Sequence, residues 1–95
     1  MKTLVYALSL AFAAAPAGAG CFADYKAKQD DGALRLHYGV AELPDAACGS
    51  RQAAARALAP RLDRAGWTLL NIVSIFGPEG LAQRKDRAGP FFLRY

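Results

Sequence analysis

The chain of 95 residues contains two cysteines, one histidine, one tryptophan and one methionine. Cys21, Cys48 and His37 supply three ligands at irregular spacing where a structural zinc site wants four, so a zinc-built fold is not written here. No Cys-x-x-Cys is present, which removes the usual thiol–disulfide catalyst and the haem-attachment motif. Neither Ser50 nor Ser74 sits in the Gly-x-Ser-x-Gly turn of a hydrolase nucleophile, and no glycine-rich loop cradles a phosphate. The methionine is residue 1, so Met-ligated copper and haem schemes fall away once the leader described below is removed. No cofactor is expected. The length excludes the large α/β catalytic scaffolds and fits one small domain.

One apolar run stands out. Met1-Lys2-Thr3 is a short basic start, Leu4 to Ala15 is uncharged and apolar, and Pro16-Ala17-Gly18-Ala19 follows with small residues. This order of basic, apolar and small-residue regions is that of a secretory signal. The run is too short for the roughly 20 residues of a membrane span. Residues 1–19 are therefore read as a cleaved signal peptide and 20–95 as a single small α+β domain in the periplasm or outside a bacterial cell, with no transmembrane segment after cleavage. Lys2 is the only charge in the leader, so its loss lowers the formal net charge from +4 by one.

Export gives the cysteines a role. Cys21 and Cys48 are expected to form a disulfide, because a domain of this size buries too little surface to be comfortably stable and the exported compartment is oxidising. The chain-entropy model assigns the cross-link about 3.5 kcal/mol. The alternative is lipid. A lipoprotein signal is cut directly before a cysteine, and Cys21 is placed for that, although Gly18 stands where such signals carry a bulky aliphatic residue.

Along the mature chain, Phe22 to Lys28 and Leu34 to Leu43 flank the polar cluster Gln29-Asp30-Asp31-Gly32, which reads as a hairpin. Period two in the second run places Leu34, Leu36, Tyr38 and Val40 on one face, expected buried, and Arg35, His37, Gly39 and Ala41 on a wetter one. From Arg51 the chain is rich in strong helix formers, with Ser50 as the N-cap and Ala54, Leu58 and Leu62 as an apolar stripe flanked by Ala47, Ala55 and Ala65. Pro60 predicts a kink near Ala59 or two short helices, and Gly66 a left-handed cap. Trp67 to Phe76 is apolar on both faces, the mark of a central strand. Leu81 to Gly89 is charged and loop-like, with room for a helical turn within Gly80 to Lys85, and Phe91 to Tyr95 is expected as a last strand antiparallel to the Trp67 run. The fold class is α+β: a small antiparallel-rich sheet of three to four strands with one Pro-kinked helix on one face, in the order β-β-α-β-β.

Gly66-Trp67-Thr68-Leu69-Leu70 after an Ala/Leu-rich helix, with a terminal Phe92-Leu93-Arg94, resembles a widespread family of small bacterial domains of unknown function. Their pattern is strand, helix, a Gly-Trp-Glu-Leu-Val strand and a final strand with aromatic-x-Leu-basic. Thr68 replaces the family's frequent acid, and the leader, the cysteines and the N-terminal run are additional. The chain is also similar to short exported alphaproteobacterial proteins of unassigned role. These resemblances imply the fold and transfer no site residue.

Candidate chemistry is sparse. His37 is the one group able to act as acid or base near neutral pH, which defines a small enzyme as one alternative. Asp30 and Asp31 beside Gly32 read as a solvated turn. Arg84, Lys85 and Arg87, with Phe91 and Phe92 nearby in sequence, form the candidate interaction surface. In an exported protein it would meet an envelope protein or an anionic envelope component rather than nucleic acid. The function expected is thus a small non-enzymatic exported domain that binds or accompanies another envelope component, with anchoring through a lipidated Cys21 as the alternative.

Overall fold

The computed structural model describes residues 20–95. The expected signal segment, residues 1–19, lies outside them. Three antiparallel strands form the sheet: β1 (Cys21–Asp30), β2 (Leu34–Leu43) and β3 (Thr68–Phe76), in the spatial order β2-β1-β3. Helix α1 (Arg51–Arg64) connects β2 to β3, and helix α2 (Ala82–Ala88) follows β3. The α+β class and the β-β-α-β order hold as expected. The final strand does not.

The strand β1 is central and β3 is an edge, the reverse of the sequence expectation. The sign of centrality was in β1, where Cys21, Phe22, Ala23, Asp24 and Tyr25 are buried without alternation. Apolar residues occur on both faces of β3 for a different reason. Its Leu69, Ile72 and Ile75 join the core beneath α1, while Phe76 packs beneath α2 on the opposite face. Irregularities in the β1–β3 register, between Asp24 and Tyr25 and between Lys26 and Ala27, add residues on β3.

On the first sheet face, α1 buries Ala54, Leu58 and Leu62 against Ala23, Tyr25, Ala27, Ala41, Leu43 and Ile72. A fully buried leucine contributes roughly 1.5–3 kcal/mol. The Ser50 hydroxyl accepts from the Ala53 N–H at 3.0 Å as the N-cap. At the other end Gly66, with φ of 90°, reverses the chain. The Trp67 N–H donates to the Leu62 carbonyl at 2.9 Å and the Gly66 N–H to that of Asp63 at 3.0 Å, a Schellman closure. Pro60 lies on the exposed side within one continuous helix, so the expected division into two helices does not occur; its missing N–H faces away from the core. Ala65, expected along the stripe, is exposed because it follows the last helical turn.

The hairpin register decides which side of β2 is dry. Tyr25 pairs with Gly39 and Ala27 with His37, so Gly39, His37, Ala41 and Leu43 share the α1 side. A Cβ on Gly39 would lie 2.5 Å from the Tyr25 hydroxyl oxygen; the phenol ring occupies that space. The alternation is present, but the side expected to be wet is buried under α1, and the side expected to be buried is fully so only at Val40, beneath α2. His37 is buried, while Leu34 and Leu36 are 63% and 66% exposed.

After β3, the chain turns through Pro78–Gly80 into α2, which replaces the expected loop. This helix packs on the second face, with Ala88 meeting Phe22 and Val40. The terminal segment then runs beside β2, not β3. Phe92 forms a single parallel bridge with Val40, and the Leu93 N–H donates to the Val40 carbonyl at 2.8 Å. A helix in the preceding connection carries the chain across the face, which is why no antiparallel fourth strand forms. The disulfide Cys21–Cys48, with Cα atoms 6.0 Å apart, ties the start of β1 to the turn before α1.

Candidate functional site

Asp24 is the one buried carboxylate among the described residues, 3% exposed in the central strand on the α2 side. Three donors surround it. The Ser74 hydroxyl on β3 reaches Oδ1 at 2.6 Å, the Tyr38 hydroxyl on β2 reaches Oδ2 at 2.8 Å, and Arg84 Nε on α2 reaches Oδ2 at 3.1 Å. Burial pushes the Asp24 carboxyl up, but the Ser74 and Tyr38 hydroxyls and the Arg84 guanidinium together outweigh it and hold the group below its ordinary value. Tyr38 moves the opposite way, raised by burial and by its bond to the carboxylate. Arg84 is clamped further by the Gly80 carbonyl at 2.8 Å and lies 4.0 Å from the Phe76 ring centre. A carboxylate held ionised by three donors is a weak base and a strong anchor. Its evident work is to fasten α2 to all three strands.

His37 lies on the opposite sheet face. Its ring stacks on Phe91 with centroids 3.7 Å apart and meets Trp67 edge-on at 4.3 Å. The Tyr25 hydroxyl is 3.0 Å from Nε2, whereas buried Nδ1 has no hydrogen-bond partner among the described residues. Burial lowers the His37 pKa and raises that of Tyr25. The sheet separates this imidazole from the Asp24–Ser74 pair, so Ser, His and Asp do not assemble into a nucleophilic set. The wetter face expected for His37 is corrected: its ring is buried against Tyr25, Trp67 and Phe91.

The basic cluster is dispersed. Arg84 turns inward to Asp24, Arg87 sits 4.5 Å over the Tyr38 ring, and Lys85 is exposed on α2. Phe91 lies on the other side of the sheet against His37, whereas Phe92 packs on the Val40 cluster and lines a shallow depression together with Lys85 and Arg94.

The second face is only partly covered. Beyond α2, toward the hairpin turn, Lys26 on β1 lies between Leu36 on β2 and Leu70 on β3, and with Tyr38 these line a depression of about 270 Å³. Leu34, Leu36 and Leu70 are the three most exposed large apolar side chains among the described residues. Period two in β2 hides this patch, because it groups exposed Leu34 and Leu36 with buried Val40. The signal was available in Lys26 and Lys28, whose alternation with Ala27 marks the same face as wet.

No helix among the described residues is long and apolar enough to cross a membrane, and no group of three or more His, Cys, Asp or Glu residues among them is placed to hold a metal. No family model, curated protein or solved structure matches the chain.

Proposed function

We propose that the protein is an exported, non-enzymatic domain that binds or accompanies another envelope component in the periplasm or outside the cell. The observation that carries this reading is the open half-face, where Leu36 and Leu70 flank Lys26 and exposed Leu34 lies further toward the hairpin turn. A small domain seldom leaves its largest exposed apolar groups contiguous without a partner. The signal-like leader and the Cys21–Cys48 disulfide support export. The lipid-anchored alternative requires the Cys21 sulfur that the disulfide engages. The small-enzyme alternative requires His37 to reach a substrate through Phe91, which stacks on its ring.

The test begins with expression of the full chain in a bacterial host, fractionation, and intact mass before and after reduction and alkylation. The expected product is periplasmic, begins at Gly20, and resists alkylation until reduced. A cytosolic, uncleaved chain with two free thiols overturns the reading, and an acylated chain beginning at Cys21 transfers it to the anchored form. Photo-cross-linking from position 36 in the native envelope should then capture a component that the Leu70→Glu variant loses. Undiminished capture by that variant would move binding elsewhere.

A further inference from the structure

We infer that the open half-face is a docking surface for an anionic phospholipid bilayer, an inference that rests on the binding reading above. Leu36, Lys26 and Leu70 come from β2, β1 and β3, so the patch crosses the entire sheet. Register continues it toward the turn, with Lys28 opposite both Leu36 and Thr68, and Leu34 opposite Asp30. Arg87 marks its boundary with α2 by lying over Tyr38. The ion pair between Asp24 and Arg84 is the only one among the described residues, so Lys26, Lys28 and Arg87 have no acidic partner. Asp30 is the one acid on the exposed end of this face, and Asp86 the one acid on α2.

The charge and shape select among occupants. An extended peptide draws much of its affinity from main-chain pairing at a strand edge. The patch is centred on Lys26 of β1, which is paired on both sides, so a peptide seated on it rather than along the edge of β3 finds side chains alone. A second copy placed by two-fold symmetry would set Lys26 and Lys28 against the same lysines. A bilayer offers what the patch lacks: a layer of phosphate over hydrocarbon. The leucines enter the headgroup boundary while the lysine stems lie along them and the ammonium groups remain with the phosphates. Three partly exposed leucines are a small anchor by themselves, so attachment requires the anionic charge.

The experiment uses protein recovered from cells expressing the full chain, with its N-terminus at Gly20 and its disulfide confirmed by mass. It is sedimented with vesicles of phosphatidylglycerol and phosphatidylcholine, and with vesicles of phosphatidylcholine alone. Binding is expected to the mixed vesicles, to weaken with added salt, and to fall at least about tenfold on the neutral ones. The Lys26→Gln/Lys28→Gln variant should bind about 25-fold more weakly, taking about fivefold per charge. The Leu36→Gln/Leu70→Gln variant should lose binding with an unchanged melting temperature, since both side chains are exposed or nearly half so. Equal binding to both vesicle types, no binding, or full binding by the leucine variant overturns the inference. So does a dimer in sedimentation equilibrium that the leucine variant dissolves, because a second copy then covers the face. Failure with a periplasmic, correctly cleaved protein removes the bilayer alone; a cytosolic chain with free thiols removes the export reading beneath it.

Discussion

Replacing Asp24 by Ala should destabilise the fold by about 3 kcal/mol, the low end of the roughly 3–5 kcal/mol typical of breaking a buried pair. Three hydrogen bonds are lost together, from Ser74 at 2.6 Å, Tyr38 at 2.8 Å and Arg84 at 3.1 Å. Taken singly, bonds to a charged group are worth about 1.5–3 kcal/mol each, but they share one carboxylate and do not add. The Arg84 side chain retains 17% exposure, so its guanidinium recovers part of its hydration when the carboxylate is gone. A domain of this size holds only about 4–11 kcal/mol in total, so the variant loses a large fraction of its margin. Urea unfolding of the disulfide-closed protein is the assay. With a slope near 1 kcal/mol per M, the midpoint should fall by about 3 M. Hydrogen exchange should quicken first in α2, the element that Arg84 ties down. Because the folded carboxyl lies below its ordinary 3.8, its stabilisation is complete above the unfolded value and is lost as pH falls through the folded one; Asp24→Asn should lack that acid loss. A midpoint shift under about 0.5 M, or strictly additive effects of Asp24→Ala and Arg84→Ala, would refute the anchoring argument.

Replacing Cys21 and Cys48 together by Ala should cost about 3.5 kcal/mol through the freed loop, read as a urea midpoint shift with wild-type sheet signals in the folded baseline. His37, lowered by burial, is less protonated in the fold than in the unfolded chain, so stability should be complete above about pH 6.5 and decline as pH falls toward its folded value. Ring-proton titration should show the lowered pKa, and His37→Phe should flatten this part of the stability profile; an unshifted titration would contradict the burial. Phe91→Ala should cost about 2 kcal/mol, below a fully buried phenylalanine, and shift Trp67 emission to the red as the ring neighbour 5.6 Å away is lost. Gly39→Ala should cost about 2 kcal/mol in thermal or urea unfolding, because its Cβ would occupy the space of the Tyr25 phenol.

Much of the backbone was legible locally. Ser50, Gly66 and the Ala54-Leu58-Leu62 spacing each act within a few residues, and the structure places all of them as N-cap, helix reversal and buried stripe. The hairpin was legible for the same reason. What failed depended on distant elements. Period two gives two faces to β2 without saying which is dry, and that choice was made by the small residues of β1, Ala23 and Ala27, which admit α1 on the side of His37. The doubly apolar β3 has the pattern of a central strand because two helices cover opposite faces, a circumstance that pattern alone does not distinguish from two neighbouring strands.

The second face was hidden by the chemistry of its contact. The inward side of α2 reads Leu81, Arg84 and Ala88, so an arginine occupies the middle of a helical stripe where apolar periodicity expects a hydrophobe. That arginine is intelligible only with Asp24, sixty positions away in sequence, which itself interrupts an apolar strand. Each residue alone argues against burial; together they permit it, because the carboxylate, guanidinium and two hydroxyls satisfy one another. The helix held at Asp24 through Arg84 is only seven residues long and ends at Gly89 and Pro90, so the strand positions Lys26, Leu36 and Leu70 remain outside its cover. Weakening the anchor should therefore alter docking at the patch boundary, near Arg87 and Tyr38, before it alters contacts at Leu34.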